Sequence, residues 1–231
     1  MGRIGKLIRR PIDFQYALGE FFLIFLGITM AIWFNNWNAD RKALDQQKES
    51  LIEVRTALMR DLADVNDNIM GFDFRVEVLE SFMKGIKQNP PIIPDSTQKY
   101  MGVLHGWTSF ISNVGAYETL KLRGLETITN DSLRQEISYY YEIGQQKILR
   151  TEKIYQDHFF DHFKPLLMQH FRSFEMTLYP RDIEKTKRDF YFLEVAGFAL
   201  QYEQVMLRIY QGTALDIQKL IDNIDKALEQ L

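Results

Sequence analysis

Two histidines separated by one helical turn are the residues of this sequence best suited to chemistry. His158 and His162 are four positions apart, Asp157 and Asp161 stand just before them, and His170 follows two turns later. On a helix, imidazoles at i and i+4 lie on one face and can bind one metal ion, with a carboxylate completing the site. The pattern lacks the glutamate of an HExxH motif, and such histidines are more often solvated or part of an interface. The sequence therefore predicts no metal and no cofactor, with His158 and His162 kept as the alternative ligands.

No other arrangement of residues in the sequence suggests catalysis. The 231 residues include no cysteine, which excludes disulfides, thiolate zinc sites and cysteine nucleophiles. There is no glycine-rich phosphate loop, no GxSxG motif and no recognisable Ser/His/Asp set. A net charge of −3, with acidic and basic residues interspersed, does not favour nucleic acid as a partner. We therefore interpret the protein as a non-enzyme.

The elements that position these residues begin with an apolar stretch near the N-terminus, YALGEFFLIFLGITMAIWFNNWN, residues 16–38. Residues 21–34 carry no charge, only Glu20 interrupts the stretch, and a span needs about 20 apolar residues. Trp33 and Trp37 stand at its border, where amphipathic rings prefer the headgroup level. A cleaved signal peptide would need small residues where IWFNNWN is bulky, and a buried core helix would not need these flanks. The stretch therefore predicts an uncleaved transmembrane helix with an interfacial belt at Trp33 and Trp37.

The charges that flank this helix predict its orientation. Residues 1–15 are basic, whereas the other flank mixes acids and bases. Since basic flanks stay in the cytoplasm, residues 1–15 are expected inside the bacterial inner membrane and residues 39–231 outside it, in the periplasm. The basic residues of the tail are Arg3, Lys6, Arg9 and Arg10.

Glu20 shares one helical stripe with Leu23, Gly27 and Ala31. Small residues four apart let two spans approach closely, and a polar group in the bilayer seeks a partner. The stripe is therefore a candidate oligomer face. Alternatively, Glu20 reaches water at the inner headgroup boundary.

The rest of the chain predicts an all-α fold, with the transmembrane helix followed by an elongated antiparallel helical bundle or coiled coil. Heptad spacing predicts the long helices, Pro165 predicts a kink, and no strand pair competes. The expected segments are a helix over 39–88, a tip insertion over 95–130, a helix over 132–172 and a helix over 185–231. Their inward positions are Leu58, Leu62, Val65, Ile69, Phe72, Val76, Leu79, Met83 and Ile86 in the first, Leu133, Ile137, Tyr140, Gly144, Ile148, Thr151, Ile154 and His158 in the second, and Leu200, Leu207, Tyr210, Ala214, Ile217, Ile221, Ile224, Leu228 and Leu231 in the last.

The segment SNVGAYETLKLRG is the most unusual local sequence of this body, and Asn113, Gly115, Tyr117 and Gly124 crowd within it. These residues are a candidate surface for a ligand or a partner at the tip. The other interpretation is turn geometry that reverses a helical hairpin, since glycine and asparagine are ordinary turn residues.

Two blocks carry a resemblance to a known family. ALGEFFLIFLGITMAIWFNNWN and SNVGAYETLKLRGLETITNDSLRQEISYYY resemble recurrent blocks of a domain-of-unknown-function family of bacterial single-pass membrane proteins, frequent in Bacteroidota. The resemblance covers the span and the middle of the chain better than its last third. It implies location and architecture, and it carries no activity or catalytic residue.

Together these observations predict a non-enzymatic scaffold or accessory subunit of an envelope complex. Its expected partners are the lipid bilayer, further copies of itself and other envelope proteins. Two alternatives remain from the sequence. One is a periplasmic sensor that signals through a separate partner, and the other is an oligomeric pore in which Glu20 lies inside the span.

Overall fold

The computed structural model describes residues 14–175 and 177–231. The chain forms two compact units, Met1–Gln47 (unit 1) and Lys48–Leu231 (unit 2), which are described separately. Most of the predicted cytoplasmic tail, including its four basic residues, lies outside the described residues.

The first helix, α1, runs over Phe14–Ile86. It ends where the sequence becomes NPPIIP, because proline removes a backbone donor and clashes with a continuing helix. The chain then folds back over the helix end, and the N–H of Ile92 donates to the carbonyl of Gly85 at 3.1 Å. A Cβ at Gly85 would stand 2.1 Å from the Ile92 carbonyl oxygen, so this close return requires glycine.

Residues 95–130 combine short helices with an irregular segment. α2 covers Asp95–Tyr100 and continues into a 3₁₀ turn over Met101–His105. Residues 106–114, which we call the strap, have no regular secondary structure. α3 then covers Gly115–Arg123 and ends at Gly124, whose φ of 99° favours glycine, before a 3₁₀ turn over Leu125–Thr127.

The helix predicted over 132–172 is present as one helical run interrupted by two π turns. α4 (Asp131–Tyr139), α5 (Gln145–His158) and α6 (Lys164–His170) are joined by π turns over Tyr140–Gly144 and Phe159–Phe163. The Asn130 side chain caps α4 by accepting from the N–H of Leu133. The second π turn comes just before Pro165, so the expected irregularity at this proline takes the form of a wider helical turn.

A short antiparallel hairpin follows, although the sequence suggested no strand pair. β1 (Phe171–Phe174) pairs with β2 (Thr177–Pro180), with Ser173 opposite Leu178. The hairpin is stabilised by one buried side chain from each strand, because Phe171 and Leu178 both belong to the core of unit 2. α7 (Ile183–Arg188) and α8 (Phe190–Glu229) complete the chain, and Asp189 caps α8 through the N–H of Phe192.

Contacts between residues far apart in the sequence give the directions of the elements within the helical bundle of unit 2. The helical run α4–α6 is parallel to α1, because Tyr140 contacts Asp61 near its start while Phe171, just after it, packs on Phe82. The sequence predicted only antiparallel neighbours, and for this pair that was wrong. The reason is the strap segment, which first carries the chain back along α1. α8 is antiparallel to α1, with Phe192 against Phe82 and Asp225 paired with Arg55.

Residues 95–130 therefore do not form a tip. Thr97 bonds to Ser81, Thr108 to Asn68, Asn113 to Asp61 and Arg123 to Ser50, so the segment runs back along α1 over the whole of its path. The sequence predicted that this segment reverses the chain at the far end of a helical hairpin, whereas in the structure it runs back alongside α1.

The first π turn shifts the buried face of the helical run by one residue. Leu133, Ile137 and Tyr140 are buried as predicted. Beyond the turn the buried residues are Gln145, Ile148, Glu152, Tyr155 and Phe159. Ile148 is buried as predicted, and each of the other four is one position after a predicted inward residue. The inward assignments of Gly144, Thr151, Ile154 and His158 were wrong, because a π turn contains an extra residue that a 3.6-residue period does not allow for. In α8 the predicted positions Tyr210, Ile217, Ile221 and Ile224 are buried, whereas Leu231 lies beyond the end of α8 and is exposed.

Candidate functional site

The candidate residues of unit 1 lie on the exposed part of α1. Every residue from 18 to 46 is exposed, including Glu20, Leu23, Gly27 and Ala31. Leu18–Ile86 contains a segment long and apolar enough to cross a membrane, and none of it is covered by the rest of the chain. The hydroxyl of Thr29 donates a hydrogen bond to the carbonyl of Phe25 at 2.8 Å, within the same helix. The oligomer face at Glu20, Leu23, Gly27 and Ala31 stays a prediction.

At the end of the apolar stretch, the two tryptophans of the predicted belt are exposed. Trp37 packs against Phe34 with ring centroids 5.8 Å apart, and the guanidinium of Arg41 lies 5.9 Å from its ring centre. An aromatic ring beside a cation is the pairing expected where apolar chain meets headgroups. Trp33 is also exposed, on the same segment.

The main polar feature of unit 2 is a set of buried residues on the core face of α1. Asp61, Asn68 and Arg75 recur every seven residues and are buried among Leu58, Val65, Phe72 and Leu79. The sequence interpretation assigned Leu62, Ile69 and Val76 to this seam, one position away, and these three are only half-buried. Polar residues at seven-residue intervals were the signal that could have identified the true seam.

Asp61 is fully buried and accepts four hydrogen bonds. Its Oδ1 accepts from the backbone N–H and the side-chain amide of Asn113 at 2.9 and 2.8 Å. Its Oδ2 accepts from the hydroxyl of Tyr140 at 2.8 Å and from the amide of Gln145 at 3.0 Å. A carboxylate that satisfies this many donors is a structural anchor. Asp61 thus joins α1, the strap and the first π turn.

Two further carboxylates bind the backbone of the strap. The N–H of Ile111 donates to Asp64 Oδ2 at 3.0 Å, and the N–H of Phe110 donates to Glu152 Oε1 at 2.8 Å. Glu152 also accepts from the Tyr210 hydroxyl of α8. Burial raises the pKa of Glu152 and of Asp64 above their ordinary values, because desolvation disfavours the charged form. The backbone N–H groups of the strap therefore donate to carboxylates, and not to the carbonyls of a neighbouring strand.

Arg75 forms the other end of this polar set. Its Nε donates to Glu203 Oε1 on α8 at 2.7 Å, and both side chains are buried. Its guanidinium also donates to the carbonyl of Val103 in the 3₁₀ turn and to the carbonyl of Gly106 at the start of the strap. The Tyr155 hydroxyl donates to the same Glu203 oxygen, and burial raises the pKa of Tyr155. One buried ion pair thus connects α1, α5, α8 and the strap.

The residues predicted for a partner surface take part in this packing. Asn113 binds Asp61, and Tyr117 is buried with its ring stacked 4.6 Å from Tyr141. Gly124 ends α3. Gly115 is exposed at the start of α3 and lines an open surface depression with Arg60. Asn113, Tyr117 and Gly124 therefore support the turn-and-packing interpretation, whereas Gly115 is exposed and Asn113 is half-buried beside it in the same depression.

His158 and His162 are neighbours on the surface between α5 and α8. Their ring centroids are 5.5 Å apart, and His158 also contacts Phe198 and Tyr202. Burial lowers the pKa of His158, and the nearby His162 lowers it further. The neighbouring acid Asp157 pairs with Lys153. The third histidine, His170, lies elsewhere and is hydrogen-bonded to Thr186 and Asp189. Within the described residues, no group of three metal-ligating side chains comes together.

Comparisons with protein-family models, with curated proteins and with solved structures find no match for this chain.

Proposed function

We propose that the protein is a single-pass inner-membrane protein whose helical body, residues 39–231, lies in the periplasm and serves as a scaffold or accessory subunit of an envelope complex. The observation that carries this proposal is the exposed apolar face of unit 1. Phe21, Phe22, Leu23, Ile24 and Phe25 are all more than half exposed. A soluble chain does not leave such a surface in water, and the bilayer is the environment that covers it on every side.

The continuity of α1 supports an anchor over a cleaved leader. The apolar segment continues without interruption into the helix that bears the core of unit 2. Processing would need small residues in the border region, where Trp33, Phe34 and Trp37 stand. The charges of the flanks support a cytoplasmic N-terminus, as the sequence predicted.

Self-association through Glu20, Leu23, Gly27 and Ala31 is part of the proposal. No atom would come within 4 Å of a Cβ placed at Gly27, so this position is open to another span. An exposed Glu20 at the start of the apolar segment supports both a subunit contact and a headgroup contact.

Single-cysteine variants test location and association in one experiment, because the natural chain has no cysteine. Leu122, which is 90% exposed on α3, reports on the body. A membrane-impermeant maleimide should label Leu122→Cys in intact spheroplasts, whereas Arg3→Cys should be labelled only after lysis. The reverse pattern, or a mature protein that lacks its first 40 or so residues, would contradict the proposed topology.

The same membranes test the oligomer face. Under mild oxidation, Gly27→Cys should form a disulfide-linked dimer, and Phe25→Cys, on the other side of the helix, serves as the matched control. Equal cross-linking of the two variants would indicate random collision, and no cross-linking of Gly27→Cys would remove self-association from the proposal. A membrane conductance that changes in Glu20→Gln would favour the pore alternative.

A further inference from the structure

The outward side of α1 in unit 2 carries a row of uncharged residues, which we call the outer stripe. Its members follow one another at alternating intervals of four and three residues, and all of them are exposed: Ile52, Thr56, Met59, Ala63, Asn66 and Met70. The apolar residues Ile52, Met59 and Met70 are 45%, 49% and 65% exposed. The alternation is the heptad spacing by which one helix packs along another in a coiled coil.

The core of unit 2 does not use the outer stripe. The buried residues Asp61, Asn68 and Arg75 lie on the opposite side of α1, at a seven-residue interval of their own. A solvated helix face ordinarily carries charged residues, whereas the outer stripe carries none over about 27 Å of helix at 1.5 Å per residue. α1 therefore has a second face suited to packing, and the described part of the chain leaves it uncovered.

The residue types of the outer stripe favour a second copy of the same chain as its occupant. In a parallel, in-register pair each position meets its own counterpart, so a charged position would face a like charge. The stripe avoids this over its whole length, and the next positions at the same spacing are the acids Glu49 and Asp73. The amide of Asn66 carries both a donor and an acceptor, so two Asn66 side chains can bond to each other.

The membrane anchor favours the parallel arrangement. Copies inserted through the same span share one orientation in the bilayer, and contact between their spans raises the effective concentration of the two bodies, so a short seam suffices. A single asparagine in such a seam fixes its register. Charged residues lie beside the stripe at Arg55 and Arg60, but Arg55 is already paired with Asp225 and adds little repulsion.

We propose that the outer stripe pairs with the outer stripe of a second copy as a parallel two-stranded coiled coil over residues 52–70. Met59, Ala63 and Met70 pack against their counterparts, and the two Asn66 amides bond across the axis. This inference rests on the self-association included in the proposed function, and it identifies the contact that unit 2 makes in the dimer.

Cross-linking of single-cysteine variants of the full-length protein in native membranes tests the pairing. A short bismaleimide should link Met59→Cys into a dimer, whereas Leu215→Cys, a 73% exposed apolar position on α8, is the matched control and should stay monomeric. Ile52→Cys and Met70→Cys should each link to its own counterpart. When these two variants are co-expressed, links between Ile52→Cys and Met70→Cys alone would indicate antiparallel helices and would contradict the proposed pairing.

A charge variant gives a second readout, by mass photometry of the purified protein in mild detergent. Met59→Glu combined with Met70→Glu places like charges opposite each other and should raise the Kd of the dimer by at least about tenfold. Leu215→Glu changes a comparably exposed apolar residue and should leave the Kd unchanged. Because all three positions are exposed, the helical fold should persist in both variants, which circular dichroism checks.

Three further results would overturn the inference. They are linking of Met59→Cys no greater than that of Leu215→Cys, an unchanged Kd in the charge variant, and links from Met59→Cys to a different protein while the purified chain is monomeric, which would assign the stripe to that protein. Labelling at Leu122→Cys and cross-linking at Gly27→Cys do not involve the outer stripe. A failure here is therefore distinguishable from a failure of the proposed function.

Discussion

Replacing Asp61 by alanine should be among the most destabilising single changes in unit 2. The substitution removes the acceptor of the Tyr140 hydroxyl and the Gln145 amide, which are both buried, and of the backbone N–H of Asn113, which is half-buried. A buried donor without an acceptor costs about 1–1.5 kcal/mol at the lower end of the measured range. The two buried donors, Tyr140 and Gln145, predict a loss of about 2–3 kcal/mol in the free energy of unfolding.

The assay is urea unfolding of the full-length protein in mild detergent. Trp107 is the tryptophan of unit 2 and packs 4.9 Å from Tyr155, so its fluorescence reports on this unit once Trp33→Phe and Trp37→Phe are introduced. Hydrogen exchange of the amides of residues 110–113 gives a second readout, because these amides lose protection if the strap detaches.

Two comparisons make this prediction decisive. Asp61→Asn keeps one acceptor oxygen and should cost less, about 1–2 kcal/mol. Asp73→Ala, an exposed aspartate on the same helix, should change stability by no more than about 0.5 kcal/mol. If Asp61→Ala costs no more than Asp73→Ala, or if the strap amides stay protected in it, the claim that buried carboxylates hold the strap is refuted.

Two further changes probe the same polar set. Arg75→Ala leaves the buried Glu203 carboxylate without its cation, so it should lower the free energy of unfolding in urea by about 3–5 kcal/mol. The double variant Arg75→Met with Glu203→Met removes both charges and should recover part of this loss. Equal losses in the single and the double variant would contradict the pairing argument. Because burial raises the pKa of Glu152 above its ordinary 4.5, the stability that protonation of this group contributes is complete below pH 4.5 and is lost as the pH rises through the raised pKa. Glu152→Gln should therefore flatten the dependence of the unfolding free energy on pH above 4.5, and an unchanged slope would show that Glu152 does not titrate differently in the folded protein.

Much of the helical architecture could be predicted from periodicity and proline placement. α1 ends two residues before the predicted boundary at residue 88, and α8 begins five residues after the predicted start at residue 185. These features are local, since a proline cluster or an apolar repeat acts within a few residues. The exposed apolar face of unit 1 was likewise readable from composition alone.

The remaining features depend on long-range partners. Asp61 looks like a solvent-facing residue in sequence, and only Asn113, Tyr140 and Gln145, 52 to 84 positions away, make it a core residue. A π turn leaves no clear mark in hydrophobic spacing, so Gly144, Thr151, Ile154 and His158 were each assigned one position before the residue that is buried, and only Ile148 was assigned correctly. The β1–β2 hairpin was missed because its aromatic sequence also resembles the end of an amphipathic helix.

The manner in which the strap is held has a consequence for how this region can vary. Its backbone amides at Phe110, Ile111 and Asn113 each meet an acid on a different part of α1 or α5. Any residue except proline can supply such an amide, so an exposed position such as Ile111 is open to wide replacement. An insertion or deletion within residues 110–113 would instead move every later amide away from its carboxylate. This segment, although it looks like an ordinary loop, should tolerate changes of composition far better than changes of length.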